Sequence, residues 1–458
     1  MDQHNSPGTP QAVVINMDGK DTNPEKQGAA PVATADRIKS IDAIRGVALL
    51  GILMMNIPGF GINWDFWYSI IHGPRTGNDY YTFATVFIFF EGTMRGLFSM
   101  LFGAGMILFM LNKKEVPGGT PVAVFYYRRL LWLVFFGIIN AFVLLWQGDI
   151  LFFYGLCGML LFAFRKLNPK WLVVLALACV SIGMIKNQWG WNETREKRKD
   201  YVEATAAKKE NKKLSPEQQG AIQAWAEIEK NQKPDTAQTN EHLRKMRSGY
   251  TTIFTYFIPQ NSGGETWYMY NGVWDMLAMM LLGMAMFVWG FFTNKLRTST
   301  YAMWMLIGYG IGIPVAWILF DKGWMNTLDM GTYTDRWRSS HRVFEEFRRI
   351  PLTLGHASLI MLIFRSRLVP WLMKGFANVG QMAFTNYLMQ SIICTFFFYG
   401  YGFGNYNKLY FHQLYYVVFA VWIFQMIFSA IWLRYFRFGP FEWLWRSLTY
   451  WRRQPMKK

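Results

Sequence analysis

Long apolar runs alternate with short polar connections along most of this chain. Runs of roughly 18–25 apolar residues are long enough to cross a bilayer as helices, because about 20 helical residues span the hydrocarbon core. Ten runs have this character, at about 41–62, 82–111, 124–145, 148–164, 171–189, 270–292, 301–320, 351–365, 375–399 and 411–433. The pattern predicts an all-α polytopic membrane protein with about ten transmembrane helices, the eighth being the shortest.

Basic residues cluster on alternate connections between these runs. The clusters contain Arg37 and Lys39; Lys113, Lys114, Arg128 and Arg129; Arg165, Lys166 and Lys170; Lys295 and Arg297; Arg365, Arg367 and Lys374; and Arg437, Arg446, Arg452 and Arg453. Because cytoplasmic loops are enriched in Lys and Arg, this alternation predicts that both termini are cytoplasmic. The 321–350 connection departs from the rule, since it carries several arginines on the predicted outer side, partly balanced by acidic residues.

Two polar stretches lie outside the apolar pattern. Residues 1–36 have no charged-then-apolar leader and predict a disordered cytoplasmic tail. Residues 190–268 mix Lys, Glu and Ala and predict a periplasmic helical insert, which is either a solvated, partly disordered hairpin or a cap that docks a partner or substrate. The remainder divides into an N-terminal five-helix membrane part (37–189), a C-terminal five-helix membrane part (269–436) and a basic interfacial segment (437–458).

Composition narrows the class of partner. The 458-residue chain has a net charge of +18, and 52% of its residues are hydrophobic. The charge sits in short clusters between apolar runs rather than in one basic domain, which argues against nucleic acid and favours membrane lipids. Cys157, Cys179 and Cys394 have no paired spacing, so neither a disulfide framework nor a metal site is predicted.

The first apolar run begins with charged residues, in RIKSIDAIRGVALLGILMMNI. Arg37, Asp42 and Arg45 lie at its start, and the spacing of three lets Asp42 and Arg45 pair on one helix face. Together with Arg128 and Arg129 they have two interpretations. They bind the phosphates of a nucleotide-like donor, or they contact anionic lipid and fix the topology.

Longer blocks carry a resemblance to a known family. The first runs from Arg37 to Asn56, and the second comprises GQMAFTNYLMQSIICTFFFYGYGFG at 380–404 and WLRYFRFGPFEWLWRSLTY at 432–450. LFSMLFGAG, GDILFFYG and WDMLAMMLLGMAMF extend the match. With these blocks the chain resembles the YeiB-like membrane proteins, the domain-of-unknown-function 418 family.

That family is grouped with membrane acyltransferases, including the acyltransferase-three and heparan-glucosaminide acetyltransferase proteins. The resemblance implies a multi-pass protein of the bacterial inner membrane that moves an acyl group from a cytoplasmic donor to a periplasmic glycan or lipid. Acyl-CoA is then a co-substrate, and no bound cofactor is expected. Acyltransferase-three proteins place a histidine where this chain has Asn56, and the lysosomal acetyltransferase uses a luminal-loop histidine, for which His72 is the counterpart here. Asn140 stands where many YeiB-like proteins are expected to have histidine.

Ionisable residues inside predicted spans are candidate functional residues, because lipid makes them costly. Glu91 and Arg95 are four residues apart on one helix face. They form either a structural ion pair or, through Arg95, a positive site for a phosphate or an oxyanion.

The predicted catalytic residues are His356, His72, Asp149 and Asp275, which all fall near the predicted outer side. A histidine beside a carboxylate is the usual general-base pair for acyl transfer to a hydroxyl. Structural alternatives remain open: His356 as a helix-packing histidine, His72 as an ordinary loop residue, and Asp149 as a helix cap.

Polar residues of the ninth run form a strip. Asn386 and Gln390 share a helix face, as do Tyr387 and Ser391, so the strip either joins helices or lines a substrate tunnel. The predicted donor- or substrate-binding residues are therefore Arg37, Asp42, Arg45, Asn56, Glu91, Arg95, Asn386 and Gln390.

These observations favour a transmembrane acyltransferase that acylates a hydroxyl or an amine. A transporter or flippase for a small molecule or a lipid-linked substrate is the alternative, since buried polar residues also line translocation paths. The repeated, helix-broken halves of many transporters are not visible in this sequence, which favours the enzyme. The sequence leaves the oligomeric state open.

Overall fold

The computed structural model describes residues 38–111, 121–327 and 329–458, apart from the side chains of 265–271. Several sequence predictions fall outside these residues: the tail 1–36 and the basic residues Arg37, Lys113 and Lys114.

The described chain is helical, with one isolated antiparallel bridge between Phe436 and Lys457. Its α-helices are α1 (Lys39–Gly61), α2 (Asp65–His72), α3 (Asn78–Phe89), α4 (Thr93–Leu111), α5 (Val122–Ile138), α6 (Leu151–Leu161), α7 (Pro169–Lys209), α8 (Pro216–Lys230), α9 (Thr236–Met246), α10 (Tyr250–Asn271), α11 (Val273–Val288), α12 (Thr298–Ile318), α13 (Met330–Arg336), α14 (Glu345–Ser366), α15 (Pro370–Gln381), α16 (Ala383–Phe398), α17 (Phe411–Tyr435) and α18 (Pro440–Tyr450).

Seven helical segments of the described chain are long and apolar enough to cross a membrane: Lys39–Gly61, Asn78–Leu111, Val122–Val143, Pro169–Lys209, Thr298–Asn326, His341–Ser366 and Phe411–Tyr435. Three shorter apolar segments, Leu151–Phe164, Val273–Val288 and Ala383–Phe398, coincide with the other predicted runs. The prediction of an all-α, multi-pass membrane protein is confirmed, and seven of the ten predicted runs have the length of a span.

The second segment is broken between α3 and α4. Gly92 has φ +70°, and a Cβ atom there would lie 2.5 Å from Nε of Arg349. Glycine is therefore required both for the backbone conformation and for the close approach. Arg348 donates hydrogen bonds of 3.0 Å to the carbonyls of Phe87 and Glu91, which lack helical partners at the break.

The charged start of α1 packs directly on the backbone of α15. A Cβ atom on Gly46 would lie 2.0 Å from the carbonyl oxygen of Phe376, and one on Gly380 would lie 1.9 Å from that of Asp42. Small residues on both helices allow this contact, as at many membrane helix interfaces. Gly46 of the opening motif, together with Gly380, thus lets α15 lie directly against α1.

The predicted insert is built from the extension of α7 and from α8, α9 and α10. α7 continues without a break over 41 residues. Trp225 of α8 is fully buried, and both ring nitrogens of His242 lie 2.8 Å from tyrosine hydroxyls, those of Tyr256 and Tyr406. The insert is therefore packed against itself and against the connection that follows α16.

Candidate functional site

A cavity of about 200 Å³, here called the arginine cavity, lies among α1, α4, α5, α6, α15, α16 and α18. Most of its wall is apolar, and α4 contributes Phe98, Leu101, Phe102, Gly105, Met106 and Phe109. The charged part of the lining consists of Arg45, Arg129, Arg446 and Glu442. A cavity with a mostly apolar lining and more guanidinium than carboxylate groups suits an anion attached to an apolar chain.

Arg45 and Arg129 enter this cavity from different helices. Arg45 pairs with Asp42 at 2.9 Å, so the predicted pairing within the opening motif is confirmed. The guanidinium of Arg129 lies 4.2 Å from the centre of the Trp445 ring. Within the described residues, Arg129 has ring contacts but no hydrogen bond or ion pair from its side chain to a carboxylate.

Glu442 does not serve as a counter-ion for these arginines. Its carboxylate accepts hydrogen bonds from the N–H groups of Phe384, at 2.7 Å, and Thr385, at 3.0 Å. Burial raises the pKa of the Glu442 carboxyl. The contacts cap the positive N-terminus of α16 and hold α18 across the cavity.

A hydrogen-bonded polar group borders the cavity at Tyr387. The Tyr387 hydroxyl accepts from the N–H of Ile150 at 3.2 Å and lies 3.5 Å from Oδ1 of Asp149. Asn140 donates to the same carboxylate oxygen at 2.8 Å. Asp149 is buried, and its other oxygen accepts from the Phe152 N–H at 2.9 Å in the first turn of α6. Asp149 is thus both a helix cap and the partner of a cavity-lining tyrosine.

Arg95 belongs to a separate cluster, here called the ion network. Arg95 donates to Oδ2 of Asp275, and Arg349 donates to the same oxygen at 2.6 Å. Arg349 also pairs with Glu346, its neighbour on α14. Arg95 and Asp275, both half-buried, therefore meet in one network with the buried Arg349, and Glu91 lies at the adjacent helix break.

His356 packs behind that break. Its Nε2 lies 2.7 Å from the carbonyl oxygen of Phe89, and its Nδ1 lies 2.9 Å from the Tyr309 hydroxyl. The carbonyl can only accept, so Nε2 carries the proton and Nδ1 accepts from Tyr309. Both nitrogens are engaged by the protein, in the manner of the helix-packing alternative.

The other predicted residues lie elsewhere. His72 is exposed at the end of α2, with its ring 4.1 Å from that of Tyr68. Asn386 donates to Ser429 of α17 at 3.0 Å, and Gln390 donates to Gln425 of α17 at 3.1 Å. This part of the polar strip joins helices. Asn56, half-buried on α1, is also not among the residues that line the arginine cavity.

Sequence reasoning missed Arg446 and Trp445 as cavity residues, and it placed Tyr387 only within the polar strip. The C-terminal segment looked like an interfacial helix because its aromatic and basic residues share an amphipathic pattern. α18 has that pattern, but it also folds back onto α5, where the Trp445 indole donates to the carbonyl of Arg129 at 2.9 Å. Only the tertiary fold reveals this second role.

Comparisons with known proteins give a family but no activity. The family described as "Protein of unknown function (DUF418)" matches residues 286–452. The chain is 32% identical over 447 residues to uncharacterized protein YxaH of Bacillus subtilis (strain 168), covering 93% of this chain and 98% of the relative. It is 28% identical over 429 residues to uncharacterized protein YeiB of Escherichia coli (strain K12), covering 90% and 96%. No solved structure matches the chain.

Proposed function

The chain belongs to the DUF418 family of YeiB-like proteins, and from that premise we propose that it is a transmembrane acyltransferase of a bacterial inner membrane. It transfers an acyl group from a donor of the acyl-CoA type at the cytoplasmic face to a hydroxyl or amine acceptor at the periplasmic face. On the predicted topology of ten spans with cytoplasmic termini, Arg45, Arg129 and Arg446 lie on the donor side. The observation that carries the proposal is the arginine cavity, with basic groups beside an apolar chamber that reaches Tyr387.

Two parts of the donor, its phosphates and its acyl chain, occupy different parts of this cavity. Its phosphates pair with the guanidinium groups of Arg45, Arg129 and Arg446, which hold oxyanions by charge-assisted hydrogen bonds. Its acyl chain lies along the wall formed by α4. Each methylene buried there contributes about 0.8 kcal/mol, so affinity rises roughly fourfold per carbon until the cavity is filled.

The transfer step assigns Asp149 as proton acceptor. The acceptor oxygen attacks the thioester carbon, a new C–O bond forms and the C–S bond breaks. The acceptor's proton passes through the Tyr387 hydroxyl to Asp149 and then to the departing thiolate, which leaves as CoA thiol. Asp149 takes this role because it contacts a cavity-lining hydroxyl, whereas both nitrogens of His356 already have protein partners.

The direct test is transfer of a radiolabelled acyl group from acyl-CoA to membrane lipids or glycans by purified protein in liposomes. We expect labelled product with the wild type and a loss of at least about 100-fold with Asp149→Asn. Asp200→Asn, an exposed carboxylate of α7, is the matched control and should keep full activity. Absence of any labelled product over a range of acyl chain lengths would rule out the transferase.

One observation favours the transporter alternative. The segment from Asn78 to Leu111 is discontinuous at 90–92, and broken helices form the substrate sites of many transporters. Uptake or flipping of a labelled substrate by liposomes, without acyl transfer, would support a transporter. Acyl transfer without net movement of the intact donor would support the enzyme.

A further inference from the structure

A second cavity, of about 230 Å³ and here called the outer cavity, lies among α2, the helical turn Trp324–Asn326 and α13. It is lined by Ile71, His72, Lys322, Met325, Asn326, Asp329, Thr332, Tyr333, Arg336 and Trp337. It shares no lining residue with the arginine cavity. On the predicted topology it opens on the periplasmic side.

The charged side chains around this cavity give it a net positive charge. Arg336 is exposed, and its guanidinium lies 5.6 Å from the Trp337 ring. In the described part of the chain it has no hydrogen bond or ion pair to a carboxylate. Lys322 contacts Asp321 at 2.7 Å, but that carboxylate also binds Arg75 at 2.8 Å, so two cations share one negative charge.

The carboxylate in the cavity wall is already engaged. Asp329 accepts hydrogen bonds from the Thr332 N–H at 3.0 Å and from the Thr332 hydroxyl at 2.6 Å. These contacts hold its oxygens toward the first turn of α13. Lys322 and Arg336 therefore keep their positive charge available to a ligand.

Basic residues on a short outer connection run against the usual charge bias of membrane proteins. The two arginines that follow in the first turn of α14 have internal partners, since Arg348 pairs with Glu345 and Arg349 with Glu346 and Asp275. Among the residues that the structure describes, Arg336 has no such partner, so an ion pair with them does not account for its charge. Its charge and its position in the cavity lining suit an anionic ligand.

The wall is held in place by the insert. Arg198, on the extension of α7, pairs with Asp335 at 2.7 Å, and the Trp191 indole donates to the carbonyl of Trp337 at 3.3 Å. The helix that leaves the predicted membrane part thus positions α13 and the aromatic ring beside Arg336. This contact gives the insert a part in shaping the outer cavity.

We propose that the outer cavity binds a ligand that carries an oxyanion, either a phosphate or a carboxylate, together with hydroxyl groups. Arg336 and Lys322 hold the oxyanion, while Trp337, Tyr333 and Asn326 offer aromatic and amide contacts to the rest of the ligand. This oxyanion is the anionic group of the acyl acceptor, and this identification rests on the proposed function. The anion comes from either a lipid headgroup or a soluble glycan, which share this chemistry.

The test measures binding directly, by calorimetry on the full-length protein in detergent. Glycerol 3-phosphate and inorganic phosphate are the soluble probes, with glycerol as the uncharged comparison. We expect both anions to bind and glycerol not to. Arg336→Gln should weaken binding at least about tenfold, in line with the loss of a charge-assisted hydrogen bond, and Arg336→Lys should recover part of that loss. Arg338→Gln is the matched control, because Arg338 is exposed two residues away and does not line the cavity; it should change affinity less than about twofold.

A second arm identifies the source of the anion, by flotation with vesicles of phosphatidylglycerol or phosphatidylcholine. Binding of phosphatidylglycerol alone identifies a lipid headgroup, and binding of the soluble phosphates alone identifies a soluble acceptor; both support the site. Equal affinity of wild type and Arg336→Gln, or no binding in either arm, would overturn it. Because these readouts need no turnover, anion binding without acyl transfer would reject the enzyme and keep the site.

Discussion

Two arginine-rich regions of the molecule differ in how their charges are neutralised. In the ion network, Arg95 and Arg349 share Oδ2 of Asp275, and Arg349 also binds Glu346. In the arginine cavity, the ring of Trp445 covers one face of Arg129, while Glu442 is committed to a helix N-terminus. The charges of the first region are paired within the fold, whereas on our proposal those of the second hold the phosphates of a ligand.

The difference has an energetic basis. A buried ion pair is costly to assemble but far more costly to break, because removal of one partner strands the other in a medium of low dielectric. An arginine stacked on an aromatic ring keeps its hydrogen-bond donors, and its removal strands nothing. Substitutions in the two regions should therefore separate stability from binding.

The largest effect is expected in the ion network. Arg349→Ala leaves Asp275 and Glu346 without a shared partner and should lower the free energy of unfolding by about 3–5 kcal/mol. Thermal unfolding in detergent, followed by near-UV circular dichroism, measures the change. Arg338→Ala, an exposed arginine nearby, is the control and should stay within about 0.5 kcal/mol of wild type. A similar loss in both variants would mean that the network is not a special source of stability.

The arginine cavity should show the opposite behaviour. Arg129→Gln should lower the affinity for CoA by about 1.5–3 kcal/mol, the cost of losing a charged hydrogen bond, with little change in stability. Equilibrium binding of radiolabelled CoA measures this. Arg452→Gln removes the same charge from the exposed C-terminal segment and should leave CoA binding unchanged. If both variants lose affinity equally, the effect is long-range electrostatics rather than a site.

The sequence predicts the local features behind this contrast but not the contacts between distant parts of the chain. Apolar run length predicts the helices because lipid imposes a length on every span, and all ten runs are helical. Pairing of Asp42 with Arg45 follows from helical spacing alone. The partner of Arg95 does not, because Asp275 is 180 residues away in the chain and only helix packing brings it near.

The candidate site shows the same limit. The basic residues of α1 and α5 were visible as a cluster, but the cavity they share depends on α18, which folds back from the C-terminus. His356 illustrates the reverse case. A histidine in an apolar run suggests a catalytic role. Its hydrogen bonds to Tyr309 and to a backbone carbonyl at a helix break cannot be predicted from its neighbours in the sequence.

A smaller effect is expected at His356. His356→Ala leaves the carbonyl of Phe89 and the hydroxyl of Tyr309 without this partner, which should cost about 1–3 kcal/mol of stability. Acyl transfer per folded molecule should stay near that of wild type, because our proposal gives His356 no proton to move. Stability comes from thermal unfolding, and activity is normalised to the folded fraction. A loss of activity of 100-fold or more in fully folded His356→Ala protein would restore the histidine as the base.

The smallest effect is a pH dependence in the insert. Burial lowers the pKa of His242, and the nearby Asp65 only partly opposes this. The unfolded insert therefore binds more protons than the folded one once the pH falls toward the ordinary histidine pKa of about 6.5. Stability is retained above that pH, declines as the pH drops through it, and levels off below the folded pKa. The total should be less than about 1 kcal/mol, because the half-buried ring is partly screened by water.

Limited trypsin digestion at pH 7.5 and at pH 5.5, scaled to the protease's own activity at each pH, measures this opening of the insert. Cleavage should increase at the lower pH in the wild type. His242→Gln keeps hydrogen-bonding groups for Tyr256 and Tyr406 but cannot titrate, so its cleavage should no longer depend on pH. Because His242 is not among the residues that line the arginine cavity, CoA binding should not change in this variant. An equal pH dependence in wild type and His242→Gln would assign the effect to another group, and the docking of the insert would then not be linked to proton binding at His242.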